Sequence, residues 1–126
     1  MKQSTFFYLL RRGVIGGGGA AADNLLDTYT GAAAAYSLRL LRTAYSGNAI
    51  KVRRASDNTE QDISFRAAAG AKILDTTTLE SFCSGTDGFV TTWYDQSGNA
   101  NNLTQTSASS QPKIVSEGST ITGGGK

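Results

Sequence analysis

At 126 residues, with a formal net charge of +2, 39% hydrophobic and 17% charged residues, the chain has the size and composition of one small globular domain, and no apolar run long enough to span a membrane. It holds no histidine and one cysteine, Cys83, which excludes a Ser–His–Asp triad, a Cys–His pair, a histidine-containing zinc site and any disulfide within the chain. There is no DxDxDG calcium loop either, so neither a metal nor a cofactor is expected.

The chain opens with "MKQSTFFYLLRRGVIGGGGAAAD". Lys2, Arg11 and Arg12 are its basic residues and no acid precedes Gly19, whereas the remaining nine basic residues are matched by ten acidic ones. The basic bias therefore belongs to the N-terminus, and a near-neutral body argues against a nucleic-acid partner, which would favour a basic stripe on the folded face. Phe6 to Leu10 is an apolar run shorter than the core of a secretory signal. Gly16 to Gly19 separate it from anything that could bury it. Residues 1–23 are read as a docking arm and hinge, with Phe6, Phe7, Tyr8, Leu9, Leu10, Arg11 and Arg12 contacting a partner, for instance by strand addition. The alternative is a terminal strand of the domain itself.

From Asn24 onward the pattern is that of a folded unit. Ala32 to Tyr45 reads as a helix, with Tyr36, Leu40 and Ala44 at i, i+4, i+8 and Gly47 as a stop. "AIKVRRA" alternates as a half-buried strand, Ile50 and Val52 inward, Lys51 and Arg53 on a solvated face. The polar turn "SDNTEQ" leads to a second strand from Asp62 to Phe65, giving an antiparallel hairpin. Thr77 and Glu80 fit a capping box, with Asp75 nearby, for a two-turn helix carrying Leu79 and Phe82 inward. "GFVTTWYDQ" is the strongest strand signal. Strict alternation places Phe89, Thr91 and Trp93 on one face, and Trp93 is expected to be buried against the 32–45 helix. Short strands follow at Leu103, at Lys113 to Val115 after Pro112, and from Thr120.

The loop after Trp93, "YDQSGNANN", concentrates turn-forming side chains. Asp95, Gln96, Ser97, Gly98 and Asn99 are read as a structural turn, in which Asp95 ties down loop N–H groups. Glycosidase chemistry needs two facing carboxylates. Asp95 has no evident second, because Glu60 and Asp62 sit at a turn and Glu80 is assigned to the helix cap.

"AAYSLRLLRTAYSGNAIKVRR", "SDNTEQDI", "LDTTTLESFC" and above all "GFVTTWYDQSGNANNLTQ" resemble the start of alpha-L-arabinofuranosidase B-type domains, over about Ala32 to Val115. The resemblance implies a mainly β fold with short helices: a partial antiparallel, concanavalin-like β-sandwich in residues 24–126, continuing beyond them and preceded by the extended arm. In that family the catalytic carboxylates lie in later parts of the sandwich, so no residue here inherits a catalytic role. Similar segments occur in structural proteins of tailed bacteriophages, and the basic, apolar arm favours that version. The expectation is thus a non-enzymatic virion protein, a tail or head fibre subunit. It would be homo-oligomeric, bound to other virion proteins through the arm and able to present a lectin-like domain to host glycans. The second reading is a fragment of an arabinofuranosidase-type glycoside hydrolase.

Overall fold

The alternation in Ile50–Arg54 and the polar turn after it produce the hairpin expected of them. In the computed structural model, which describes residues 23–123, strand β1 (Ile50–Arg54) pairs antiparallel with β2 (Glu60–Ile63), Ile50 opposite Ile63 and Arg53 opposite Glu60. The arm residues Phe6, Phe7, Tyr8, Leu9, Leu10, Arg11 and Arg12 and the hinge Gly16 to Gly19 lie outside the described residues. The second strand ends at Ile63 rather than Phe65. Phe65 starts a separate strand, β3 (Phe65–Ala68), which turns at Ala69 and Gly70 into β4 (Ala71–Leu74).

A helix α2 (Thr76–Phe82) follows a short α1 (Leu25–Thr28) in chain order and lies against the core through Leu79. Its cap is not the Thr77/Glu80 box. Asp75 is the N-cap, its carboxylate accepting from the Thr78 N–H at 3.1 Å and the Thr78 hydroxyl at 2.7 Å. Glu80 instead accepts the Thr120 N–H at 2.8 Å, pinning the last strand to the helix.

Strand β5 (Gly88–Trp93) is the centre of the main sheet. One edge pairs with β1; the other pairs with β6 (Leu103–Thr104) at its Trp93 end and β7 (Lys113–Ser116) at its Gly88 end. Strand β8 (Ser119–Thr120) closes the order β2-β1-β5-β7-β8, with β6 beside β5. The sheet is antiparallel throughout and the fold is mainly β with few short helices. Ile50, Val52, Ile63, Leu74, Leu79, Cys83 and Val115 form the core, with Val90 and Trp93 packed against it.

Strict alternation fails in β5. Lys51 faces Thr92 but Val52 faces Val90, so Thr91 is an extra residue, a β-bulge. Val90 and Trp93 consequently both reach the core, while Phe89 and Thr92 lie on the outer face beside Arg53 and Lys51. Trp93 is half-buried rather than enclosed, and its neighbour from the 32–45 segment is the Tyr36 ring at 6.4 Å.

The 32–45 helix does not form. Residues 38–40 run beside β4 as an extended segment: the Leu40 N–H donates to Lys72 O at 2.8 Å, the Leu74 N–H to Leu38 O at 2.7 Å, and Arg39 bridges Ile73. Helix propensity is a weak prior, and here backbone bonds to a strand and to the loop described below outweigh it.

At Gly88 the sheet lies close against Cys83 at the end of α2. A Cβ there would lie 2.6 Å from Cys83 Sγ and 3.2 Å from both Val115 Cβ and Val52 Cγ1. Gly88→Ala is expected to cost about 1–3 kcal/mol by overpacking, read as a lowered urea midpoint. Adding Cys83→Ala should recover part of that loss, because the sulfur is the nearest obstacle; strictly additive effects would show that the sulfur is not the cause.

Candidate functional site

The bulge at Thr91 has a second effect. By restarting the alternation one residue late, it brings Asp95 to the interior side, while Tyr94 stays outside and donates its hydroxyl to Asp62 Oδ1 at 2.6 Å. Asp95 is 3% exposed and Gln96 fully buried.

Both Asp95 oxygens are occupied twice. Oδ1 accepts the N–H of Ala35 and of Ser97, each at 2.8 Å; Oδ2 accepts the Ser97 hydroxyl at 2.7 Å and the Asn101 N–H at 2.9 Å. Burial pushes this carboxyl up, but the hydrogen bonds from Ser97, Ala35 and Asn101 outweigh it and bring it down to about 2.

Gln96 acts as a side-chain substitute for a neighbouring strand. Its Oε1 accepts the Leu41 N–H at 2.8 Å, and its Nε2 donates to Ser37 O at 3.1 Å and Arg39 O at 3.0 Å. Its own N–H donates to Ala35 O at 2.8 Å. The remaining turn residues grip the same segment: Ser97 Oγ lies 3.3 Å from Ala33 O, and Asn99 Nδ2 donates to Ala32 O at 3.0 Å and Ala33 O at 3.1 Å. Arg42 Nη1 answers from the segment, donating to Ser97 O at 3.1 Å, and passes where a Cβ on Gly98 would sit.

Three partners were not singled out from the sequence. Asn101 Nδ2 donates to Ala33 O at 2.8 Å, Asn102 Oδ1 accepts the Asp95 N–H at 2.9 Å, and the Tyr36 hydroxyl donates to Asn101 O. The signal was the run of asparagines after Gly98, more amide groups than a simple turn needs. Together loop 95–102 and segment 32–42 form one hydrogen-bonded clamp at the end of β5.

The carboxylates whose acidity the fold alters are all held below the ordinary range. Thr43 does this to Asp27, Arg54 to Asp57, Thr78 to Asp75, the Thr120 N–H to Glu80 and Lys113 to Asp87. A glycosidic general acid requires the opposite, a carboxyl raised towards neutrality. Among the described residues no group of three or more acids and Cys83 comes together to hold a metal. A cavity of about 480 Å³ beside the β3–β4 turn is lined by Ala67 to Ala71 on one side and by Asp23, Asn24, Thr43 and Lys72 among others, and does not include Asp95.

Residues 23–123 match the family model described as "Alpha-L-arabinofuranosidase B, catalytic". The chain belongs to that arabinofuranosidase B family. It is 43% identical over 77 residues to the probable alpha-L-arabinofuranosidase B of Aspergillus flavus, covering 60% of this chain and 15% of that protein. The Emericella nidulans arabinofuranosidase B is 41% identical over 73 residues, 58% of this chain and 14% of its own length. A crystal structure of an arabinofuranosidase complexed with arabinofuranosyl-alpha-1,2-xylobiose superposes with a TM-score of 0.55 at 37% identity, over 64% of this chain and 17% of that one. The chain thus spans about 15% of the length of these curated relatives.

These arabinofuranosidase relatives overturn the virion reading. The similar proteins are fungal enzymes, and none of these comparisons points to a bacteriophage, a fibre subunit or a virion location. The expectation of a non-enzymatic protein falls with it, because the family is one of glycoside hydrolases. The basic, apolar composition that favoured the virion version belongs to residues 1–22, outside the region that matches the family.

Proposed function

We propose that the protein is an α-L-arabinofuranosidase-type glycoside hydrolase in which residues 24–126 begin the catalytic domain and serve as its scaffold. The main sheet is one layer of a concanavalin-like β-sandwich, and the clamp fixes the end of its central strand. The enzyme part of this reading is supported by the family match over residues 23–123, and its scaffold part by the saturation of Asp95. With four donors on two oxygens and its carboxyl near 2, it is an acceptor in a fixed network rather than a nucleophile or proton donor. Asp95 is therefore not assigned to the acid and nucleophile pair.

The complete protein should turn over 4-nitrophenyl α-L-arabinofuranoside. In its folded fraction, Asp95→Asn should keep kcat within about three-fold, since removing an acid or base that touches substrate costs about 10²–10⁴-fold. A folded complete protein without turnover would sink the enzyme reading. A folded Asp95→Asn variant that had lost activity would move Asp95 into the catalytic pair.

A further inference from the structure

The outer face of the main sheet carries a groove of about 400 Å³ that the clamp does not touch. Strands β1, β2, β5 and β6 form its floor and the 105–111 loop its wall, and Lys51, Arg53, Glu60, Thr92, Thr104 and Gln111 are among its lining residues. Its size is that of a small-ligand site.

Arg53 is unusual in this groove. Its guanidinium lies over the Phe89 ring, 5.0 Å from the centroid. Nε donates to Gln111 Oε1 at 2.8 Å and Nη1 to Asn58 Oδ1 at 2.8 Å. Gln111 is itself 8% exposed and anchored by Nε2 to Gln105 O at 2.9 Å. A planar cation is therefore fixed in place by neutral amides and an aromatic face; the carboxylate of Glu60, opposite it on β2, lines the same groove but forms no ion pair with it. The ion pairs among the described residues are Arg54–Asp57 and Lys113–Asp87; neither involves Arg53 or Lys51. Among those residues Nη2 of Arg53 has no acceptor within hydrogen-bond distance, whereas Arg54 next to it meets Asp57 with both Nε and Nη2. A pre-set guanidinium with a free edge, a lysine beside it and hydroxyls across the floor match a sugar bearing a carboxylate.

We propose that this groove is an accessory subsite for the carboxylate of a uronosyl unit on the polysaccharide, with Arg53 its principal contact and Lys51 its second. It rests on the arabinofuranosidase reading for the kind of ligand, and its test reads binding, not turnover. Affinities of the complete protein for glucuronosyl-substituted xylotriose and for plain xylotriose are compared by calorimetry at low salt.

The acidic oligosaccharide should bind about ten-fold more tightly, one charge-assisted contact's worth, and the preference should shrink in 0.5 M salt. Arg53→Gln should reduce the preference to less than about two-fold. Lys51→Gln, which disturbs fewer contacts, should reduce it in part, and Arg53→Lys should fall between, having the charge without the fork. Equal binding of the two sugars would overturn the proposal. So would a preference unaffected by both Arg53→Gln and Lys51→Gln, or an Arg53→Gln loss of thermal stability with no change in preference, which would show the cation paired within the protein. Turnover of the aryl substrate with no acid preference defeats this subsite alone; an acid preference without turnover leaves the subsite standing and defeats the enzyme reading.

Discussion

Gln96→Glu should be severely damaging, lowering stability by about 3–5 kcal/mol at neutral pH. The change is nearly isosteric, so the effect comes from chemistry. In the native protein Nε2 faces the carbonyls of Ser37 and Arg39 in a site with no exposure. A carboxylate would place a second acceptor against two acceptors and bury a charge without a counter-ion. Such a carboxyl would have a folded pKa above its unfolded value of about 4.3. The deficit against the parent should thus be largest above the folded pKa and shrink as pH falls towards 4, where the carboxyl is protonated in the folded state and largely so in the unfolded one. Gln96→Met, which loses the three side-chain hydrogen bonds but introduces no charge, should cost less and show no such pH dependence. Urea midpoints of both variants between pH 4 and 8 decide the matter. A Gln96→Glu variant as stable as the parent at pH 7 would mean that the clamp is not closed around this side chain.

Asp95→Ala should follow at about 3–4 kcal/mol, because it strands the N–H groups of Ala35, Ser97 and Asn101 together with the Ser97 hydroxyl. Asp95→Asn should be milder, about 1–3 kcal/mol, since one oxygen remains. The carboxyl also sets a pH window. Its folded value of about 2 is below the ordinary 3.8, so the unfolded chain takes up a proton first as pH falls. The stabilisation, about 2 kcal/mol, is fully present above pH 4 and is lost between roughly pH 4 and 2. Parent and Asp95→Ala stabilities should therefore converge across that interval. Parallel curves would show that Asp95 is not held as a buried anion.

How much of this was legible depended on whether local pattern or distant pairing decided the outcome. Ile50, Val52 and Ile63 were read correctly because period-two alternation beside a polar turn is a local signal, and the strands at Leu103 and Lys113 were marked by turn residues and Pro112. The β3–β4 pair was not foreseen: "FRAAAGAKIL" is dominated by alanine, which argues for helix when read alone. The same bias created the false helix at 32–45. There the bonds that fix an extended backbone come from residues 72–74 and 95–101, at a distance no local window can see. The bulge at Thr91 was equally hidden, because an extra residue is defined only by its partner strand, and it altered which side chains of "FVTTWYDQ" face inward. In the site, the turn chemistry of Asp95, Ser97 and Gly98 was visible, while the object that the turn holds was not.

The clamp also bears on the order in which the chain acquires its structure. Its bonds connect residues far apart in sequence: Leu41 to Gln96 and Arg42 to Ser97 are 55 residues apart, and Asn101 to Ala33 is 68. The entropy of closing a loop that long must be met before any of these contacts forms, and the acceptors at Asp95 and Gln96 are not in position until β5 has paired with β1. The β1–β2 hairpin and the β3–β4 pair need only short closures and can form early. Residues 38–40 can join the β3–β4 pair through Lys72 and Leu74, whereas Ala32 to Tyr36 are then a late addition, laid onto a finished sheet, and by the same reasoning they are expected to detach early without the core dissolving. A polypeptide emerging from synthesis would carry Ala32 to Ala35 exposed until sixty further residues had followed Ala35, a period in which those alanines are free to coil into the helix that the native protein forbids.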